Sequence, residues 1–198
     1  MSHVPLDLVL PEFSTRFARV AQVGKHWCVP AGIENLLEFA GVTSCGQKRQ
    51  VAAYCAKYGD DALTTEAGDQ VLLGGADAAM AIALATNCKL KHENFGVFKS
   101  LVDDMVDLGS LGLELERLAG IAAADYADEV RKAIKGGQPC LICARNPDNS
   151  GHIYFVKGFV GDQIALFEPW FRTLKLYRLG RLGFSHDILK IAGIAYNP

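Results

Sequence analysis

The chain has 198 residues, half of them hydrophobic and about a fifth charged, which is enough for one substantial core and makes one domain, 1–198, the expected count. Twenty basic residues against twenty-two acidic ones leave a formal charge of −2, and the only basic cluster, LYRLGRLG, is sparse, so nucleic acid is not an implied partner. MSHVPLDLVLPEF has no early Lys or Arg and ADAAMAIALA is about half the length of a membrane span, so a cytoplasmic protein without a secretory signal is expected, with signal-independent export left open.

Leu6–Phe13 can add a short strand or wrap the surface. Val29, Ile33, Leu36, Leu37 and Ala40 then recur at helical spacing, Pro30 is tolerated in the first turn, and Gly41 is placed as a C-terminal stop. QKRQVAAYCAKYG predicts a second helix ending at Gly59, and Ala76–Thr86 a third. Phe98–Leu108 and Asp125–Ile134 predict two more, the latter stopped by Gly136 and Gly137. The period then changes. QPCLICAR, HIYFVKGF, QIALFEPW, TLKLYRL and KIAGIAYN are short runs rich in β-branched and aromatic residues, divided by turns such as NPDNSG and VGD. GFSHDIL, before the last run, reads as the start of a late helix capped by Ser185. Helices followed by neighbouring strands predict an α+β fold, with a mainly helical part over about 1–135 packed on an antiparallel sheet over about 136–198.

Six cysteines are too dilute for a disulfide scaffold, and the one CxxC, Cys140 to Cys143, lies in a strand-like run where residues three apart point to opposite faces. No metal site is implied. Five of the six thiols read as small buried hydrophobes. Cys28 differs, because it stands at the mouth of the first helix, in AQVGKHWCVPAG, with Gln22 six residues before it.

A thiol attacks as thiolate, and the positive end of a helix and a nearby imidazolium both lower its pKa from about 8.5. His152 opens one predicted strand and Glu168 closes the next. A turn near Val160–Gly161 sets them across the ladder to within a residue or two, and their parity brings both to one face. The imidazole can serve as general base, the carboxylate can fix its tautomer, and the Gln22 amide with the Cys28 N–H can stabilise an oxyanion. Taken singly, each residue has a plain reading: a structural thiol, an exposed glutamine, a capped surface histidine and a solvated strand end. Order, spacing and predicted structure together favour a thiol active site. Asp162 is the alternative orienting residue but lies in the turn at the far end of the hairpin. His26 has no orienting partner, His3 and His92 lie in no frame with a cysteine, and His186 falls at the start of the predicted late helix. No G-x-S-x-G, GxGxxG or GK[ST] is present in a fitting context.

This pattern resembles the papain superfamily of cysteine peptidases, in which His and its partner follow the cysteine by roughly 130–150 residues; here the separations are 124 and 140. KGGQPCLICARNPDNSGHIYFVKGFVGDQIALFEPW is similar to the C-terminal half of the bacteriocin-processing peptidase-like group. The likeness covers residues 20–41 and 135–170. It implies a papain-like fold with the cleft between helical and β parts, Cys28 as nucleophile, His152 as base, Gln22 as oxyanion-hole donor and Glu168 as orienter. It implies a peptide or protein substrate and no cofactor. The family usually has Asp or Asn where Glu168 stands, and papain has a Trp after the cysteine, where Trp27 here precedes it. The other classes open to the same residues are a non-catalytic papain-like binding module and a thiol acyltransferase, of the arylamine-acetylating or phytochelatin type. Oligomeric state is not legible.

Overall fold

A computed structural model of the chain describes residues 8–9, 20–24, 27–58, 63–66, 69–72, 102, 105–118, 121–122, 124–145, 151–178 and 183–193. In chain order the elements are β1 (Leu8–Val9), α1 (Cys28–Phe39), α2 (Gln47–Tyr58), β2 (Leu63–Glu66), β3 (Asp69–Leu72), β4 (Glu114–Leu118) and α3 (Tyr126–Lys135). β5 (Cys140–Arg145), β6 (Gly151–Val160), β7 (Gln163–Glu168), β8 (Thr173–Arg178) and β9 (Gly183–Ala192) follow. The helix expected over Ala76–Thr86 lies outside the described residues. Of that over Phe98–Leu108, Val102 and residues 105–108 are described, and the Val106 N–H donates to the Val102 carbonyl at 2.9 Å.

The fold is α+β. Six strands form an antiparallel sheet in the order β4-β9-β5-β6-β7-β8, and β1 adds two residues alongside Gly158 and Phe159 of β6. Leu141 and Ile142 point to opposite faces of β5 and both are 1% exposed, so this central strand is covered on both sides, which is why it reads as an unbroken apolar run. Among the described residues β8 is the outer strand of the sheet, and it carries exposed Thr173, Leu174, Leu176 and Arg178.

α1 follows from its apolar spacing. Val29, Ile33, Leu36 and Leu37 are buried, and the helix ends at Ala40, with the Val42 N–H bonding back to Leu37 at 2.8 Å. The helix lies close on the sheet because position 32 is glycine: a Cβ there would sit 2.7 Å from Leu141 Cδ1 and 3.0 Å from Ile153 Cγ2. α3 buries Tyr126, Val130, Ala133 and Ile134 on one face, and its acids in the first turn and lysines in the last suit the helix dipole. Its Arg131 guanidinium stands 3.9 Å over the Phe159 ring and donates to the Gly161 carbonyl at 2.7 Å, tying the helix to the β6–β7 turn.

The mainly helical part also carries strands: β2 and β3 form a hairpin and β4 joins the main sheet. β4 is polar (ELERL), and it pairs with β9 in a register that sets Glu116 opposite Lys190, the two charges 3.4 Å apart. One expectation is corrected, that of a late helix. GFSHDIL does not begin a helix. It is the first part of β9: Gly183 and Phe184 pair with Arg145 and Ala144 of β5, and this pairing overrides the capping signal of Ser185.

Candidate active site

Glu168 ends β7 at 2% exposure, and an isolated carboxylate there would be costly. It is fully engaged. Oε1 accepts from His152 Nε2 at 2.7 Å and from the Trp170 N–H at 2.9 Å, and Oε2 accepts from the Phe171 N–H at 2.8 Å. Burial pushes the carboxyl's pKa up, but the bonds from His152, Trp170 and Phe171 and the attraction of the imidazole outweigh it and hold the group below its ordinary value. An ionised carboxylate only accepts, so Nε2 of His152 carries the proton and Nδ1 is left as the basic nitrogen.

The register explains the glutamate. Phe155 pairs with Phe167, so one step further Glu168 falls opposite Tyr154, and His152 is its diagonal neighbour on the same face. The extra methylene that distinguishes Glu from Asp spans that diagonal. Tyr154 packs edge-on against the imidazole, with ring centroids 4.8 Å apart and planes at 83°, and fixes its tilt.

Gln22 joins this pair through the backbone, its N–H donating to the Pro169 carbonyl at 3.1 Å. Its side-chain Nε2 donates to the Gly24 carbonyl at 2.8 Å, while Oε1 is buried without a hydrogen-bond partner. Gly24 lies under the Trp27 indole, where a Cβ would come within 2.6 Å of the ring, so only glycine lets the chain turn here between Gln22 and α1.

Cys28 is the first residue of α1 and is 4% exposed. The helix has no side-chain N-cap bond and no acid in its first turn, so neither of these offsets the positive end of its dipole beside Cys28. α1 rests on Ile153, next to His152 in sequence. Ile153 and His152 alternate across β6, so the imidazole leaves the sheet on the face away from that contact. The hydrogen bonds thus gather His152, Glu168, Pro169 and Gln22, whereas α1, which Cys28 begins, is seated on the Ile153 face of β6.

The other candidates fall elsewhere. Asp162 lies in the β6–β7 turn, 3.7 Å from Arg178, and His186 is in β9. His3, His26 and His92 lie outside the described residues. Cys45 and Cys140 are buried with thiol pKa values pushed up to about 11 and about 12, chiefly by burial. Among the described residues no three His, Cys, Asp or Glu side chains gather as a metal cluster, and no helix is long and apolar enough to cross a membrane. Sequence reasoning missed the N–H groups of Trp170 and Phe171, which hold Glu168 ionised. A carboxylate followed by a sharp turn, EPWF, is the signal for them.

No family model and no curated protein matches the chain. Among solved structures, the crystal structure of the Pseudomonas avirulence protein AvrPphB is similar over 58% of this chain and 67% of that one, at 15% identity and a TM-score of 0.28. A likeness at that score carries no argument about activity. The case rests on the site itself.

Proposed function

We propose that the protein is a papain-like cysteine peptidase, built as one domain, which hydrolyses a peptide or isopeptide bond through a thioester at Cys28. The observation that carries this reading is the 2.7 Å bond from His152 Nε2 to a buried, ionised Glu168, which leaves Nδ1 as a base of fixed orientation. In the proposed cycle the thiol gives its proton to Nδ1, and the sulfur attacks the scissile carbonyl. The Gln22 amide, with one Nε2 proton on Gly24 and the other left to donate, stabilises the oxyanion together with the Cys28 N–H. The imidazolium then protonates the leaving amine. Water, activated by the same nitrogen, releases the acid and restores the thiol.

Since Ile153 and His152 face opposite ways, the thiol would meet the imidazole past the end of β6, at the mouth of α1, rather than over the sheet. Trp170 and Phe171, 46% and 66% exposed beside Glu168, offer apolar surface suited to a peptide's side chains. The narrower likeness to bacteriocin-processing peptidases has no matching family model behind it, and the proposal stays at the level of the superfamily.

The test is the pH dependence of iodoacetamide alkylation, read peptide by peptide, in wild type and His152→Ala. Cys28 is expected to react well below pH 7 and to lose that reactivity without His152. Titration near ~8.5 in both proteins would sink the enzyme reading and leave a binding module.

A further inference from the structure

The segment 20–23, which carries Gln22, belongs to no helix or strand, so its backbone groups must find partners elsewhere. Two buried amides pair with four of the eight. Asn35 of α1 pairs with both backbone groups of Val20: its Oδ1 accepts from the Val20 N–H at 3.3 Å and its Nδ2 donates to the Val20 carbonyl at 3.1 Å. The same Nδ2 donates to the Ala31 carbonyl at 2.8 Å, within α1. Gln47, the first residue of α2, accepts from the Val23 N–H at 3.0 Å and donates to the Ala21 carbonyl at 2.9 Å. Its Nε2 is steadied by Glu34 Oε2 at 2.8 Å. With the Gln22 N–H on Pro169, the strap is fastened to α1, to α2 and to the turn after β7. Asn35 and Gln47 are each 2% exposed. Apolar side chains of similar size would fill the same space, whereas amides paired in this way fix the register of the strap.

We propose that Asn35 and Gln47 are positioning residues for the oxyanion hole, holding the strap so that the second Nε2 proton of Gln22 is aimed at the reacting carbonyl oxygen. The inference rests on the thiol-hydrolase reading above. Asn35 lies seven residues, about two helical turns, after Cys28, so one helix sets both the nucleophile and the strap. Gln22 then needs no ordering at the moment of reaction, which is the condition under which such donors are most effective.

The experiment compares two reactions of the same sulfur in the intact protein. Iodoacetamide alkylates by displacing iodide and forms no oxyanion. 4-Nitrophenyl acetate acylates: the S–C bond forms, a tetrahedral oxyanion appears, and the C–O bond to nitrophenolate breaks, the thiol proton passing to the imidazole. Both adducts are read on the Cys28 peptide. Asn35→Leu and Gln47→Met are expected to leave the alkylation rate and its pH profile within about twofold of wild type. Acylation is expected to fall by about 10–100-fold, following Gln22→Ala, as misplacing or removing one oxyanion donor costs about that much or more. Gln47→Met, on a different helix, carries the comparison should Asn35→Leu fail to fold. Equal loss of both reactions would make the amides merely structural, and unchanged acylation would remove them from the site; either overturns the inference. A wild-type Cys28 with ordinary thiol reactivity would instead overturn the functional reading beneath it.

Discussion

Replacing Glu168 strikes the best-defined part of the site, and its cost can be worked from the geometry. Three donors converge on this carboxylate: His152 at 2.7 Å and the N–H groups of Trp170 and Phe171 at 2.9 and 2.8 Å. A hydrogen bond to a charged group contributes about 1.5–3 kcal/mol, but bonds that share one acceptor group do not add. Removing one partner of a buried pair costs about 3–5 kcal/mol, and that is the expected loss for Glu168→Ala at pH 7. Glu168→Gln retains one acceptor oxygen but turns an N–H toward a donor, so its expected loss is about 1–3 kcal/mol. The pH dependence has a fixed sign. The folded-state pKa lies below the ordinary 4.5, so the carboxylate's contribution is fully present above that value and disappears as the pH falls through the lower, folded value. Urea unfolding of the three proteins at pH 7, and again below pH 4, should show the gap between wild type and Glu168→Gln closing in acid. A loss under about 1 kcal/mol for the alanine variant, or a gap that widens in acid, refutes the account of a buried, ionised Glu168.

Gly32→Ala should destabilise although alanine favours helix by about 1 kcal/mol, because the new methyl would stand 2.7 Å from Leu141 Cδ1 and 3.0 Å from Ile153 Cγ2, and these buried side chains would have to repack to admit it. Urea titration should show a net loss of about 1–3 kcal/mol, and a net gain would contradict the close seat of α1. Cys45 and Cys140, with thiols pushed up to about 11 and about 12 by burial, should resist iodoacetamide at pH 8 in the native protein and react once urea unfolds it. Mass analysis of their peptides gives the answer, and native-state labelling of Cys140, which is 0% exposed, would contradict the packing of β5.

What the sequence displays is what local pattern controls. α1 is legible because its apolar residues recur at one period over three turns, and β5 to β8 because each run is bounded by turn chemistry. The meeting of His152 and Glu168 is only partly legible: with Val160 opposite Gln163 the turn alone would set them on opposite faces, and a β-bulge between Val156 and Gly158 shifts the ladder by one and brings them to the same face. β4 is hidden, since ELERL has too few apolar residues to announce a strand and its stability comes from β9, reached more than sixty residues later. β9 is misread in its first half for a related reason: Ser185 offers a local cap, but pairing of Gly183 and Phe184 with the distant β5 decides the conformation.

The amides at 35 and 47 are the deepest instance of this division. An asparagine within a helix and a glutamine at the start of the next carry no signal in one dimension, because both residue types are common on surfaces. Their meaning appears only when their distance from water is known together with the identity of the atoms they pair, and those atoms belong to the four residues around Gln22. The sequence therefore shows the groups suited to bond-making, which must be of particular chemical types in a particular order. It conceals the groups that would hold them still, for which any buried amide in the right place will serve. A site of the proposed kind is thus expected to be more recognisable by its thiol, imidazole and carboxylate than by the scaffold that aims them, and the acylation-to-alkylation ratio at Cys28 is the quantity in which that scaffold becomes visible.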